Sequence, residues 1–221
     1  MQAMNWFPVY LSLKVATLAT LGSLLLGVPL ALLLARRRLP GHDLISAVTT
    51  LPMVLPPTVL GYYLLLLIGR QSPLGRLLES WGITLVFTWQ AAALAAMVVA
   101  IPLIIRSVQA AFEAVDPTLE AAARTLGRSE LSIFITVTIP LAWRGILAGT
   151  VLAFTRAMGE FGATLMVAGN IPGRTQTLSV AIYDAVQAGN TSLANALVVL
   201  ISVISVGVLL ILTRVAGGRR W

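Results

Sequence analysis

The amino-acid sequence predicts an all-α membrane protein with about five transmembrane helices, its N-terminus outside the cell and its C-terminus in the cytoplasm. Of its 221 residues, 58% are hydrophobic and only 10% are charged, whereas a soluble domain has about 25% charged residues. Several stretches without charge reach the roughly 20 residues that a membrane helix needs. Lys and Arg are distributed unevenly between the segments that join these stretches, which indicates a fixed orientation.

The five predicted spans are Val15–Ala35, Leu44–Gly69, Ser80–Ile105, about Gly145 to Ala168, and Ala185–Thr213. The first is too long for the core of a signal peptide and follows no basic region, so we expect it to remain as an anchor. The fourth is interrupted only by Arg156 and Glu160. We interpret residues 1–221 as a single transmembrane domain.

The basic residues fix the predicted orientation. With the N-terminus outside, the inner segments hold Arg36, Arg37, Arg38, Arg106, Arg124, Arg128, Arg144, Arg214, Arg219 and Arg220. The outer segments hold only Lys14, Arg70, Arg76 and Arg174. Such an excess on the cytoplasmic side is typical of membrane proteins, and it accounts for the net charge of +7. We therefore expect the lipid bilayer, and no nucleic acid, as the partner of these charges.

The residue inventory leaves little for catalysis. The chain has no cysteine and a single histidine, His42, so it offers neither thiolate chemistry nor a metal site. The only lysine is Lys14, and it does not lie in the Gly-rich phosphate-binding motif that a nucleotide site of this type requires. We predict that the chain is not an enzyme and holds no cofactor of its own.

The longest inner loop, residues 106–140, contains a short polar helix. Asp116 is a suitable N-cap, and Pro117 suits the first helical position. Glu120 and Arg124 are four residues apart and can pair on one face. Gly127 can take the left-handed conformation that ends a helix, and Ser129 can cap a second helix directed towards the membrane.

This helix has a narrow apolar stripe formed by Leu119, Ala122, Ala123 and Leu126. One interpretation is an interfacial helix that lies on lipid or packs on its own bundle. A helix seated on lipid prefers Trp, Phe and Leu on its apolar side. The small residues found here also suit close approach by the surface of another protein.

The loop resembles the signature loop of bacterial ABC-importer permeases. Ala122, Ala123 and Gly127 fall in register with that motif, and Val137-Thr138-Ile139-Pro140 stands where the motif has Ile-x-Leu-Pro. The motif's Glu position is occupied by Ala121, and the Glu lies one residue earlier. The resemblance implies a coupling helix that docks on a separate ATPase subunit. The residues expected to serve this coupling are Asp116, Pro117, Leu119, Glu120, Ala122, Ala123, Leu126, Gly127 and Pro140.

Two features inside the membrane allow a structural and a functional interpretation. Pro52, Pro56 and Pro57 interrupt the second span, which predicts either a kink buried in the bundle or a wall of a transport path. Arg156 and Glu160 are four residues apart in the fourth span. They form either a structural ion pair or a polar lining or gate of the path.

The outer segment, residues 169–190, begins with a turn rich in Gly and Pro. Residues 177–187 are expected to form a short outer helix, and Thr191 or Ser192 to cap the last span. This segment is either a landing site for an external binding protein or a plain connector.

The stretches "LPMVLPPTVLGYYLL" and "GEFGATLMVAGNIPGRTQTL" are similar to those of molybdate-type permeases of ABC importers. The resemblance implies a type I importer permease fold, a permease homodimer, two cytoplasmic ATPase subunits that bind ATP and Mg, and an external molybdate-binding protein. Sulfate and thiosulfate permeases share the Gly-Glu-Phe-Gly-Ala element, and tungstate is chemically close to molybdate. A proton-coupled secondary transporter is the alternative from another class, although we detect no inverted repeat.

Overall fold

The computed structural model describes residues 5–36 and 41–217, without the side chains of residues 212, 213 and 215–217. The predicted inner charges Arg37, Arg38, Arg219 and Arg220 lie outside the described residues. In chain order the helices are α1 (Phe7–Ala35), α2 (His42–Val54), α3 (Pro57–Ile68), α4 (Pro73–Ser80), α5 (Trp89–Glu113), α6 (Pro117–Thr125), α7 (Glu130–Ile133), a π-helical turn (Phe134–Thr138), α8 (Ile139–Met158), α9 (Gly162–Ala168), α10 (Leu178–Gln187) and α11 (Thr191–Gly217).

Four helical stretches are long and apolar enough to cross a membrane: Phe7–Ala35, Trp89–Glu113, Glu130–Met158 and Thr191–Ile211. Helices α2 and α3 together also meet this criterion, but they are bent by 115° at the break between them. Counting this pair as one broken span, the described residues have the five spans that the sequence predicts.

The predicted limits of four spans were wrong by several residues, because hydropathy does not register helix caps and one charge does not end a helix. The first begins at Phe7 instead of Val15, with Lys14 inside it. The third span begins at Trp89 instead of Ser80, where the Thr88 hydroxyl accepts the amide proton of Ala91. The fourth ends at Met158, ten residues before the predicted limit. The last begins at Thr191 instead of Ala185, because a turn at Gly189, whose φ is +69°, separates it from the short outer helix α10.

Helix α5 lies at the centre of the bundle between α1 and α8. Its buried face is rich in alanine: Ala91, Ala92, Ala95, Ala96 and Ala100 have no exposed surface. The glycines of the neighbouring helices lie close to it, since a Cβ at Gly27 would be 2.9 Å from Ile104 Cγ2 and one at Gly145 would overlap with Ala111 Cβ. Small residues of this kind bring membrane helices into close contact.

The same contacts give the helix directions. Gly22 and Gly27 of α1 lie against Met97 and Ile104 of α5, so α1 and α5 run parallel. Gly145 lies against Ala111 and Gly149 against Ser107, so α8 runs antiparallel to α5. Helices α1 and α5 therefore end, and α8 begins, at the end of the bundle that carries α6.

The opposite end carries α10, because the amide of Leu178 donates to the Ser12 hydroxyl near the start of α1 at 2.7 Å. We call these two ends the α6 end and the α10 end. Arg106, near the α6 end of α5, donates to the Ser46 carbonyl of α2 at 3.3 Å. Helix α3 packs on α9. The Val167 carbonyl of α9 accepts the amide proton of Phe87, just before the start of α5, so this contact lies nearer the α10 end and the broken span crosses the bundle in spite of its bend.

Candidate functional site

Helix α6 has both of the predicted caps. Asp116 Oδ1 accepts the amide proton of Thr118 at 2.9 Å, and the hydrogen bonds from Thr118 hold the pKa of Asp116 below its usual value. At the other end, Gly127 has a φ of +76° and donates to the Arg124 carbonyl at 3.0 Å, while Arg128 donates to that of Ala123 at 3.2 Å. These two bonds form a Schellman motif, so α6 is a short rod with fixed ends.

The apolar stripe of α6 is open in the single chain. Leu119 is 47% exposed and Leu126 is 82% exposed, Ala122 is also exposed, and Ala123 is half-buried. Within the described residues the stripe is therefore not covered by the chain's own bundle. Exposed leucines on a helix with fixed ends suit a docking surface. We call Leu119, Ala122 and Leu126 the α6 apolar face.

Glu120 points to a different side of α6 from this face. Its side chain is only 18% exposed; Oε2 lies 3.4 Å from Arg124 Nη2, as the i, i+4 spacing predicts. Its Oε1 accepts the hydroxyl proton of Thr138 at 2.6 Å. Because successive helical residues are about 100° apart, moving the Glu from position 121 to position 120 directs it to the bundle, while Ala121 is exposed.

Pro140 is the second residue of α8 and is separated from the π-helical turn only by Ile139. In a regular α-helix its ring would clash with the carbonyl of Thr136. The chain avoids this arrangement by widening the turn before it, so that the Ile139 amide donates to the Phe134 carbonyl five residues back. Pro140 was predicted from the motif alone, and its position just after the widened turn suits a role in setting the register of Thr138.

Two of the three prolines of the second span, Pro56 and Pro57, mark a sharp break, whereas Pro52 lies inside α2. Leu55 and Pro56 have extended backbone, with ψ of 141° and 137°, as expected for a residue before proline, and Pro57 is the first residue of α3. Pro56 is exposed and Pro57 is half-buried in the single chain. A bend of 115° is much larger than the kink that one interpretation required.

Arg156 and Glu160 form the predicted ion pair at a second break, between α8 and α9. Arg156 Nη1 lies 2.7 Å from Glu160 Oε2, and the Glu160 side chain is only 1% exposed. The other carboxylate oxygen accepts the amide proton of Ala163 at 2.8 Å. Both oxygens are thus engaged in joining the end of α8 to the start of α9, which favours the structural interpretation.

The two breaks lie side by side, although about a hundred residues separate them in the chain. A Cβ at Gly162 would be 3.1 Å from Pro57 Cβ, and a Cβ at Gly61 would be 2.7 Å from Met166 Cβ. Helices α3 and α9 therefore begin next to each other and remain in close contact. The sequence signals of each break were visible separately, but nothing in the sequence joins them.

The outer segment contains polar contacts that sequence analysis missed. Gln176 is buried and donates to Asn170 Oδ1 at 2.9 Å and to Asp184 Oδ2 at 3.3 Å. The predicted outer helix is confirmed as α10.

The predicted cap of the last span was wrong, because Asn190 and not Thr191 or Ser192 accepts the amide proton of Leu193, at 3.1 Å. Asn is as good an N-cap as Ser.

Residues 27–218 match the family described as "Binding-protein-dependent transport system inner membrane component". The chain belongs to this family. It is 50% identical over 184 residues to the molybdenum transport system permease protein ModB of Escherichia coli K12, with 83% of this chain and 80% of the relative covered. It is 44% identical over 200 residues to the putative molybdenum transport system permease protein YvgM of Bacillus subtilis, covering 90% and 88%.

The fold is that of ABC-importer permeases. A chain of the MetNI methionine ABC transporter, solved in an inward-facing conformation, superposes with a TM-score of 0.77 at 21% identity, and all of both chains is covered. The predicted type I importer permease fold is thus confirmed, as is the resemblance to molybdate-type permeases. The chain is a multi-pass inner-membrane protein and a transport subunit.

Proposed function

We propose that this chain is the subunit through which molybdate crosses the membrane in an ABC importer. The observation that carries the proposal is α6, a helix with fixed ends whose apolar face is open at one end of the bundle. A surface of this kind suits docking on a separate motor protein. The anion is inferred from the similarity to molybdenum permeases.

The working assembly has two copies of this chain, two ATPase subunits that bind ATP and Mg, and an external molybdate-binding protein. The ATP must be bound by partners, because the chain's only lysine is Lys14 and a phosphate-binding loop needs a lysine in a Gly-rich motif. A second copy is supported by α2, which has no buried residue in the single chain.

Transport follows from movement of α6. ATP binding closes the ATPase pair, α6 moves with the surface on which it is docked, and the spans tilt so that the path between the two copies opens to the other side. Molybdate is a dianion, and an unpaired charge cannot be moved into dry hydrocarbon without a large cost in free energy. We expect the paired breaks at Pro56–Pro57 and Glu160 to lie close to that path, because irregular backbone is tolerated at membrane depth only against protein or water.

The test is transport by the complete assembly. The chain is purified with its ATPase, reconstituted in vesicles with the binding protein, and supplied with molybdate, tungstate or sulfate, and the anion taken up is measured by elemental analysis. We expect uptake of molybdate that requires ATP. Uptake of sulfate in preference to molybdate would refute the assignment of the anion. Uptake driven by a proton gradient without an ATPase would refute the importer class.

The docking surface is tested separately. Leu119→Ser combined with Leu126→Ser removes the apolar face, and we expect the ATPase no longer to copurify. Leu74→Ser with Leu77→Ser makes the same chemical change at leucines that are 40% and 49% exposed at the α10 end, and we expect the ATPase to be retained. Retention by both variants would contradict the docking assignment.

A further inference from the structure

The carboxylate of Glu120 joins three elements at the α6 end. It lies 3.4 Å from Arg124 of its own helix and accepts the hydroxyl proton of Thr138 in the π-helical turn at 2.6 Å. Its Oε1 is also 4.0 Å from Nη2 of Arg36, the residue that ends α1. We call Glu120, Thr138 and Arg36 the Glu120 cluster. This cluster connects α6 to the end of α1 and to the π-helical turn before α8.

The orientation of Thr138 is specific to this contact. The hydroxyls of Thr136 and Thr150, before and after it, each donate to a carbonyl four residues back in their own helix, both at 2.7 Å. This is the common arrangement for Thr in a helix. Thr138 is 1% exposed and donates instead to Glu120, and the π-helical turn that precedes Pro140 sets the register that makes this possible.

Arg36 faces the same carboxylate from α1. Its Nη2 atom is buried and makes no hydrogen bond within the described residues, and its Nη1 lies 3.6 Å from Glu130 Oε2. A cavity of about 220 Å³ lies here, lined by Leu32, Arg36, Phe112, Pro117, Glu120 and Thr138 among others. A buried guanidinium nitrogen 4.0 Å from a carboxylate has a partner in charge but not in hydrogen bonding.

No residue of α6 itself is buried. Besides the Glu120 cluster, α6 is joined to the start of the fourth span by Arg124, which donates to the carboxylate of Glu130 at 2.5 and 3.2 Å. Hydrogen bonds to a charged group are about twice as strong as those between neutral groups. A displacement of α6 therefore acts on α1 and α8 through the Glu120 cluster more directly than through apolar contact.

We propose that Glu120 is a positioning residue that transmits the movement of α6 to α1 and α8 through Arg36 and Thr138, and that it does not contact the ATPase. This inference rests on the proposed function, and it divides α6 into two sides. The apolar face receives the motor, and Glu120 passes the displacement to the spans.

The test uses the complete transporter in vesicles with Thr138→Val, which has nearly the same shape but lacks the hydroxyl, and with Glu120→Gln. We expect both variants to retain the ATPase subunit and its ATP hydrolysis. The molybdate taken up per ATP should fall by about tenfold, which corresponds to the loss of one hydrogen bond to a charged group. Thr138→Ser keeps the hydroxyl and should restore coupling. Thr136→Val, with its hydroxyl bonded within its own helix, is the matched control and should behave as the unmodified protein.

The outcomes separate the two sides of α6. Loss of the ATPase on purification of Glu120→Gln would place Glu120 in the docking surface and overturn the proposal. Equal damage by Thr138→Ser and Thr138→Val, or unchanged uptake per ATP in both Thr138→Val and Glu120→Gln, would also overturn it. If the unmodified chain recruits no ATPase, the proposed function fails and this inference fails with it.

A measurement without transport checks the contact itself. The unfolding temperatures of Glu120→Gln, Thr138→Val and the double variant form a cycle, and residues in direct contact give effects that do not add. We expect the double variant to lose clearly less than the sum of the single losses. Additive losses would refute the contact whether or not the chain transports molybdate.

Discussion

The single variant Arg156→Ala should destabilise the protein more than the double variant in which Glu160→Gln also removes the partner's charge. In Arg156→Ala the Glu160 carboxylate stays buried, with 1% of its side chain exposed, but loses the guanidinium 2.7 Å away. Breaking a buried ion pair in this way costs about 3–5 kcal/mol, and the exposure of Arg156 places the expected loss near the lower value, about 3 kcal/mol. In Arg156→Ala with Glu160→Gln no charge is left, and the amide oxygen can still accept the proton of Ala163, so we expect a loss of about 1 kcal/mol.

These values predict a measurable difference in thermal stability. For a chain of this size 1 kcal/mol corresponds to about 2–4 °C, so the single variant should unfold roughly 6–12 °C below the unmodified protein and the double variant roughly 2–4 °C below it. The assay is the unfolding temperature of the purified permease in detergent, measured as the amount of intact protein that size-exclusion chromatography detects after heating. Arg174→Ala, a change at an exposed arginine, is the control. Equal losses in the single and double variants would refute the structural interpretation of the pair. Unchanged stability with lost uptake would assign the pair to the transport path.

Three further predictions concern packing, the α6 cap and orientation. Gly61→Ala places a Cβ 2.7 Å from Met166 Cβ and should cost about 1–3 kcal/mol by overpacking. Gly207→Ala, with open space around its Cβ in the single chain, should be neutral or stabilise by up to about 1 kcal/mol. The unfolding temperatures of the two variants test this difference. Gly127→Val puts a β-branched residue at a φ of +76° and should uncouple ATP hydrolysis from uptake, while Gly127→Asn, which tolerates this conformation, should retain coupling; equal behaviour of the two would contradict the role of the cap. Because the chain has no cysteine, a single introduced cysteine reports the side of the membrane on which it lies. Arg174→Cys should react with an impermeant thiol reagent in intact cells, whereas Arg128→Cys should react only after the cells are permeabilised. The reverse pattern would show that the predicted orientation is inverted.

Local features of the sequence predicted much of the candidate site. Asp116, Gly127 and Ser129 were identified as caps, and each acts as one. The Arg156–Glu160 pair followed from i, i+4 spacing. These predictions held because a cap, a turn or a pair on one helix depends on residues within about one helical turn of each other. Asn190 was missed because it is equivalent in chemistry to its neighbours Thr191 and Ser192 as a cap.

The amino-acid sequence by itself determined the number of spans, the apolar face of α6 and the chemistry that the chain lacks, because hydropathy, helix periodicity and composition are properties of short segments. The tertiary structure alone decided that the break at Pro57 lies against Gly162. It also decided that Glu120 points towards Thr138 and Arg36 and does not belong to the α6 apolar face. These contacts depend on the relative register of helices that are far apart in the chain. That register is set by the packing of glycine and alanine on α5 and by the π-helical turn before Pro140. Each of these determines which side of an entire helix is directed towards its neighbours.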